Sequence, residues 1–175
     1  MSTWHIDQAH SEIGFKIKHL MVSSVKGFFG QFSGTLTTDD DNLTNAAVSF
    51  EAQTTSVSTN NANRDGHLQG PDFFDTMKFP TMTFVSKSFT KKEGTDYKIV
   101  GDFTLKGVTK EIELDTVFNG IAKSNTDGKR IMSFDVTATI NRGDFGIAWN
   151  SPLETGGLAL SNEVWLSANI EVKEE

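Results

Sequence analysis

Residues 97–105 read YKIVGDFTL, and their apolar side chains recur at every second position. Tyr97, Ile99, Phe103 and Leu105 therefore share one face with Gly101, because successive side chains of a strand point to opposite sides. Lysine, aspartate and threonine are among the residues on the other face. The stretch predicts a β-strand with one buried face.

The same period of two runs through most of the chain. It predicts further inward faces at Ile13, Phe15, Ile17 and His19; Phe28, Gly30, Phe32, Gly34 and Leu36; Val48, Phe50 and Ala52; Met82 and Phe84; Val108, Ile112, Leu114 and Phe118; Met132, Phe134, Val136, Ala138 and Ile140; and Val164, Leu166, Ala168, Ile170 and Val172. About eight alternating strands favour an all-β antiparallel fold, either an up-and-down barrel or a sandwich.

Two stretches interrupt the strand pattern. Residues 60–75 read NNANRDGHLQGPDFFD, which predicts a short helix capped by Asn60 or Asn61 and ended by the Gly-Pro pair. Residues 141–162 form a long irregular stretch that contains the pair Gly156-Gly157. Irregular segments of this length inside a compact domain often do binding work, so we expect both at a site. The absence of a linker or repeat predicts a single domain over residues 1–175.

Composition excludes several classes of function. A formal net charge of −7 argues against binding to nucleic acid or to anionic membranes. The absence of cysteine excludes disulfides and thiolate catalysis. No apolar run is long enough for a membrane span, and the N-terminus does not read as a signal peptide. The chain as written is therefore expected to be cytoplasmic, or periplasmic if it is a trimmed mature form.

The predicted interior is unusually rich in phenylalanine, with 14 Phe against 1 Tyr. Phenylalanine suits a dry core or the wall of an apolar ligand site. Glycine and alanine on the same inward faces would leave a cavity if their neighbours do not fill it. The alternative is that these small residues offset the phenylalanines or let the sheet bend.

The sequence contains no nucleophile elbow, phosphate loop or close pair of metal-ligating histidines. His5 and His10 flank Asp7, which is weak evidence for a metal, and no metal is expected. His19 lies at the end of an inward face, where it could bond to backbone or to a ligand head group. Arg64, Asp65 and His67 could pair with one another, or Arg64 and His67 could donate to a head group.

Several motifs, in order along the chain, resemble the YceI-like family of polyisoprenoid-binding proteins. They are 4–19 (WHIDQAHSEIGFKIKH), 64–68 (RDGHL) with 72–75 (DFFD), 79–86 (FPTMTFVS), 101–110 (GDFTLKGVTK) and 141–146 (NRGDFG). The resemblance covers the whole chain, and Phe103 stands where the family often has leucine. It implies a lipocalin-like antiparallel β-barrel of about eight strands with a short helix near the mouth, a homodimer and a tunnel for a long lipid.

The resulting prediction is a protein that binds, stores or transports a long-chain isoprenoid or related lipid and is not an enzyme. The expected tunnel residues are Phe15, Ile17, Phe50, Phe84, Phe103, Phe134 and Val136. The head-group candidates are His19, Arg64 and His67, with loose head-group selectivity expected. No cofactor is expected; the interior ligand would be a polyprenyl lipid, an isoprenoid quinone or a fatty-acid-like molecule.

Two alternatives stay open. An enzyme acting on a lipid or isoprenoid quinone could use His19 or His67 as an acid–base group. A stress-related interaction protein would have a fully packed barrel. Nucleic-acid partners and stable membrane insertion are not expected.

Overall fold

The computed structural model describes residues 1–154 and 158–175, and it forms one antiparallel β-barrel. The pair Gly156-Gly157 lies outside the described residues. The strands are β1 (Ser2–Ile6), β2 (Glu12–His19), β3 (Ser23–Phe29), β4 (Phe32–Thr38), β5 (Ala47–Gln53), β6 (Val57–Ser58), β7 (Thr81–Glu93), β8 (Asp96–Leu105), β9 (Val108–Lys123), β10 (Arg130–Asn141) and β11 (Leu160–Glu174). Helix α1 spans Ala62–Gln69, and short 3-10 helices cover Gln8–His10, Thr54–Ser56 and Arg142–Phe145.

The ring runs β1-β4-β5-β7-β8-β9-β10-β11 and closes through pairing of β1 with β11. Strands β2, β3 and β6 continue β1, β4 and β5 along the barrel, because β2 also pairs with β11 and β3 with both β2 and β6. Three walls of the barrel are thus strands interrupted by a short break. This closed eight-stranded architecture confirms the predicted fold class and excludes the sandwich.

Most predicted inward faces are confirmed by burial. Every predicted inward residue of β8 is buried, and so are Met132, Phe134, Ala138 and Ile140 of β10. The turn between β8 and β9 is formed by Lys106 and Gly107, both with positive φ. Paired positive φ values match the right-handed twist of the flanking strands, which explains this tight hairpin.

One predicted face is wrong. Phe28 was expected to share the inward face of Phe32, but Phe28 is exposed and its neighbour Phe29 is buried. The strand breaks at Gly30-Gln31 between β3 and β4, and the break shifts the alternation by one position. A period of two read straight across the break therefore assigns the residues before it to the wrong side.

Two glycines do not leave the space that the sequence suggested. A Cβ on Gly101 would collide with the carbonyl oxygen of Val85, and a Cβ on Gly34 would lie 2.7 Å from Ile6 Cδ1 and 2.8 Å from Ser49 O. Both glycines permit close approach of neighbouring strands. At Gly101 the Phe84 ring also comes within 2.6 Å of the Cβ position, so there the interpretation that small residues offset the phenylalanines is the correct one.

One end of the barrel is filled by its own side chains. Trp4 and Met132 are fully buried there, beside the buried Leu43. Arg130 stacks over the Trp4 ring at 5.2 Å and forms paired bonds of 2.8 Å with Glu174. We call this the closed end. None of the described helices is long and apolar enough to cross a bilayer.

Candidate functional site

The barrel encloses a cavity of about 440 Å³, a volume within the usual range of small-molecule sites. Its wall is made almost entirely of hydrocarbon side chains, and every strand of the ring contributes to it. Val164, Leu166, Ala168 and Ile170 all point inward from β11, yet each stays only half-buried. Inward apolar side chains keep accessible surface when the space before them is empty, so the interior is hollow.

All seven predicted tunnel residues lie on this wall. Phe84, Phe103 and Phe134 are buried, and the others are half-buried where they face the hollow; the full set is Phe15, Ile17, Phe50, Phe84, Phe103, Phe134 and Val136. The structure brings them together around one space. That they contact a lipid stays a prediction.

Helix α1 and the segment after it cover the other end of the barrel, which we call the mouth. Asn61 caps the helix through Oδ1, which accepts from the Arg64 amide at 3.0 Å, and Gly70 ends it, as the sequence predicts. Phe74 packs edge-on against Phe29 with a ring separation of 5.6 Å, and Phe73 is buried. These aromatic contacts fix the helix over the barrel rim.

Arg64 and His67, two of the head-group candidates, line the cavity at this mouth and are exposed. Arg64 Nε donates to the Thr59 hydroxyl at 2.7 Å, and the same hydroxyl donates to Asp65 at 2.6 Å. His67 bonds instead to Asp72, with 3.0 Å between Nε2 and Oδ2. Thr59 therefore links Arg64 to Asp65, while His67 has a separate partner.

His19, the third candidate, ends β2 on the same rim, opposite Leu160 of β11. Its ring is half-buried and forms no hydrogen bond within residues 1–154 and 158–175. The ring therefore does not bond to the described backbone, which was one of the two expected partners. Its position on the lining leaves a head-group role as a prediction.

Arg142, Thr116 and Trp149 are among the lining residues that sequence reasoning missed. Arg142 continues the inward face of β10 two positions after Ile140, and Thr116 lies between Leu114 and Phe118 on the inward face of β9. The period of two could have found both. Trp149 lies within the irregular segment of residues 141–162, where no period exists.

Thr116 is 2% exposed, and its hydroxyl has no hydrogen-bond partner among the described residues. A buried hydroxyl without a partner keeps its full desolvation penalty, about 1–3 kcal/mol. It therefore marks a point on the wall where the hydrogen bonding of the described residues is incomplete.

The histidines near the N-terminus do not converge on one point. His10 Nδ1 lies 2.8 Å from Asp7 Oδ2 and 3.8 Å from Glu171 Oε1, whereas His5 faces Glu175 at 3.6 Å. The bond to Asp7 raises the pKa of His10 and lowers that of Asp7. Asp7, His10 and Glu171 have ligand atoms within 4.8 Å of one another, but the hydrogen bond accounts for this surface grouping and we assign no metal.

Known proteins are similar to this chain in sequence and in fold. The YceI-like domain family matches residues 4–172. A UPF0312 protein of Staphylococcus epidermidis is 43% identical over 171 residues, covering 98% of this chain and 97% of the relative. A UPF0312 protein of Staphylococcus aureus is 42% identical over the same length and coverage.

Among solved structures, a YceI protein of Campylobacter jejuni has a TM-score of 0.77 at 37% identity, covering 97% of this chain and 96% of the other. Burkholderia cenocepacia BcnA has a TM-score of 0.80 at 20% identity, with coverages of 95% and 98%. A polyisoprenoid binding domain from Saccharophagus degradans has a TM-score of 0.73 at 12% identity and covers 100% of both chains. The last two show a common fold. The match over nearly the full length shows that the chain belongs to the YceI-like domain family.

Proposed function

We propose that this protein binds a long-chain isoprenoid or a related lipid inside its barrel and holds or carries it without changing it chemically. The observation that carries the proposal is the hollow of about 440 Å³ walled by hydrocarbon side chains. A dry apolar cavity of this kind is a poor site for water and a good one for a hydrocarbon tail.

The affinity would come from burial of the tail. Each CH₂ group removed from water contributes roughly 0.8 kcal/mol, so a tail of several isoprene units has a large gross gain. Loss of translational freedom and of tail flexibility opposes much of that gain. We therefore expect affinity to rise with tail length until the cavity is full, and then to level off.

The family relationship supports the same class of ligand. A structural neighbour that is described as a polyisoprenoid binding domain has the same fold. In this chain the corresponding interior is hollow and apolar, as a prenyl tail requires.

The proposal is tested by titrating delipidated protein with prenols of increasing length in a calorimeter. We expect saturable binding that tightens with each added isoprene unit over the first few units. Failure of both the prenols and the prenyl acids of the same lengths to bind, or an affinity independent of length, would overturn the proposal. A short prenol of the same head group serves as the matched control ligand.

The absence of catalysis is part of the proposal. Of the residues that enzyme chemistry would use, His19 is without a hydrogen-bond partner in the described part of the chain, and His67 is bonded to Asp72 on the exposed rim. Neither is held against a nucleophile there. Incubation with a prenol or an isoprenoid quinone should return the lipid at unchanged mass, and any new product would contradict this part. The expected homodimer is a separate prediction, which light scattering in solution tests.

A further inference from the structure

The ionisable residues that line the described cavity are all basic. They are His19, Arg64, His67 and Arg142, and within residues 1–154 and 158–175 no aspartate or glutamate is among the lining residues. The whole chain carries a formal net charge of −7, with 23 acidic against 16 basic residues. The lining therefore has the opposite sign to the protein as a whole, and all its basic members lie at the mouth.

Arg142 is the most buried of these residues, at 4% exposure. It follows β10, and its guanidinium is held by backbone carbonyls: Nε donates to Ser161 at 2.9 Å, and Nη1 donates to Ile147 at 3.0 Å and to Trp149 at 2.7 Å. Burial lowers the pKa of Arg142, but an arginine remains charged far above neutral pH. A permanent cation therefore sits in the apolar wall.

The carbonyls do not complete its environment. They occupy the Nε and Nη1 hydrogens, and the Nη2 hydrogens have no acceptor among the residues that the structure describes. The guanidinium also forms no ion pair with a described carboxylate. Buried charges are normally paired with an opposite charge, because an unpaired one is costly in a low-dielectric site. Nη2 is not among the buried polar atoms without a partner, so it keeps access to the space beside it, where an anion would accept from it.

The surroundings place a second basic group close by. Trp149, whose carbonyl binds Arg142, packs its ring edge-on against the His67 ring with 4.8 Å between centroids. Arg64 reaches the lining from the same helix as His67. The cavity wall beside Arg142 therefore carries a second guanidinium, that of Arg64, and no described carboxylate.

We propose that the cavity selects lipids with an anionic head group, a carboxylate or a phosphate, and that Arg142 is the residue that anchors it. This inference rests on the proposed function, which supplies the buried tail. It replaces the expectation of loose head-group selectivity, and it disfavours neutral alcohols and quinones as the preferred ligands. The two Nη2 hydrogens suit either anion, because each presents a charged oxygen that accepts a charge-assisted hydrogen bond.

The first test keeps the tail constant and changes the head. Delipidated protein is titrated with geranylgeraniol, geranylgeranoic acid and geranylgeranyl phosphate. Hydrogen bonds to a charged group contribute about 1.5–3 kcal/mol, so we expect the acids to bind about ten- to hundred-fold more tightly than the alcohol. The stronger of the two acids identifies the head group as carboxylate or phosphate.

The outcomes separate the two proposals. Equal affinity for all three probes would overturn the anion proposal and leave lipid binding intact. No binding of any probe would overturn the proposed function itself. This comparison uses the unmodified protein and so does not depend on whether a variant folds.

Variants then assign the effect to one residue. Arg142→Met should weaken the binding of the acids more than that of geranylgeraniol and so remove the preference, and Arg142→Lys should keep part of it. Arg130→Met, at the opposite end of β10 and outside the cavity lining, is the matched control for loss of an arginine charge. An acid preference that survives in a folded Arg142→Met protein, or that disappears equally in Arg130→Met, would overturn the assignment.

Discussion

Replacing Ala168 with phenylalanine tests whether the barrel is hollow, because the sign of the stability change depends on the answer. Ala168 lies mid-strand in β11, between Val136 of β10 and Ile13 of β2, and all three line the cavity. If the space before Ala168 is empty, the new ring is buried without displacing a neighbour.

The magnitude follows from burial. Fully burying a phenylalanine side chain contributes about 1.5–3 kcal/mol. For a domain of this size, 1 kcal/mol corresponds to about 2–4 °C, so delipidated Ala168→Phe should melt roughly 3–10 °C above the parent. The same ring occupies tail space, so lipid loading should fall.

The matched control is Ala52→Phe. Ala52 is 0% exposed and lies between the buried Phe32 and Met82, outside the cavity lining. Overpacking there should cost about 1–3 kcal/mol and lower the melting temperature. Both variants are compared by calorimetry in the absence of lipid. If Ala168→Phe is destabilised as much as Ala52→Phe, the interior is packed and the reasoning fails.

Three further predictions follow from individual residues. Thr116→Val should raise the free energy of unfolding of delipidated protein by about 1–3 kcal/mol in a denaturant titration, because it removes a buried hydroxyl without a described partner. The control Thr54→Val should lower it, since the Thr54 hydroxyl donates to Phe79 O at 2.8 Å. A loss in both variants would show that Thr116 is satisfied. The pKa of the His10 ring, measured by NMR, should lie above 6.5 and should return toward that value in Asp7→Asn. The stability that the pair adds through His10 should be lost as pH rises through the raised pKa. Phe103→Glu places a carboxylate on the cavity wall and should abolish lipid uptake while expression stays measurable; unchanged co-purified lipid by native mass spectrometry would contradict that role.

Much of the barrel could be predicted because its strands are long and buried on one side. In β8 and β10 the large apolar side chains fall on one face at every second position, with only Val100 and Ile131 apolar on the other, so the period of two identifies the inward face directly. The break at Gly30-Gln31 could not be placed in this way. Whether Phe28 or Phe29 faces inward depends on how β3 and β4 pair with different neighbours, which is a property of the whole sheet.

The site was predictable in part for the same reason. The tunnel phenylalanines belong to regular strands, so their side of the sheet follows from their position. The surroundings of Arg142 do not, because its carbonyl partners Ile147 and Trp149 lie in an irregular segment and Ser161 lies at the start of β11. The sequence does not show how the charge of such a residue is compensated. That requires the positions of the surrounding carbonyls and of the described carboxylates.

The two interpretations of the inward small residues both apply, at different positions. Gly34 and Gly101 allow strands to approach closely, whereas Ala138 and Ala168 border the cavity. Sequence alone could not separate these cases, because space beside a small residue depends on the side chains across the barrel. The hollow is a result of the closed sheet and not of any one residue.

The central claim is that the interior holds a hydrocarbon tail, and native mass spectrometry of protein purified from its own cells without detergent tests it most directly. We expect a mass increase that corresponds to a single long-chain lipid, that organic extraction removes, and that Ala168→Phe reduces. A protein that carries no lipid from the cell and takes up none after extraction would contradict the account.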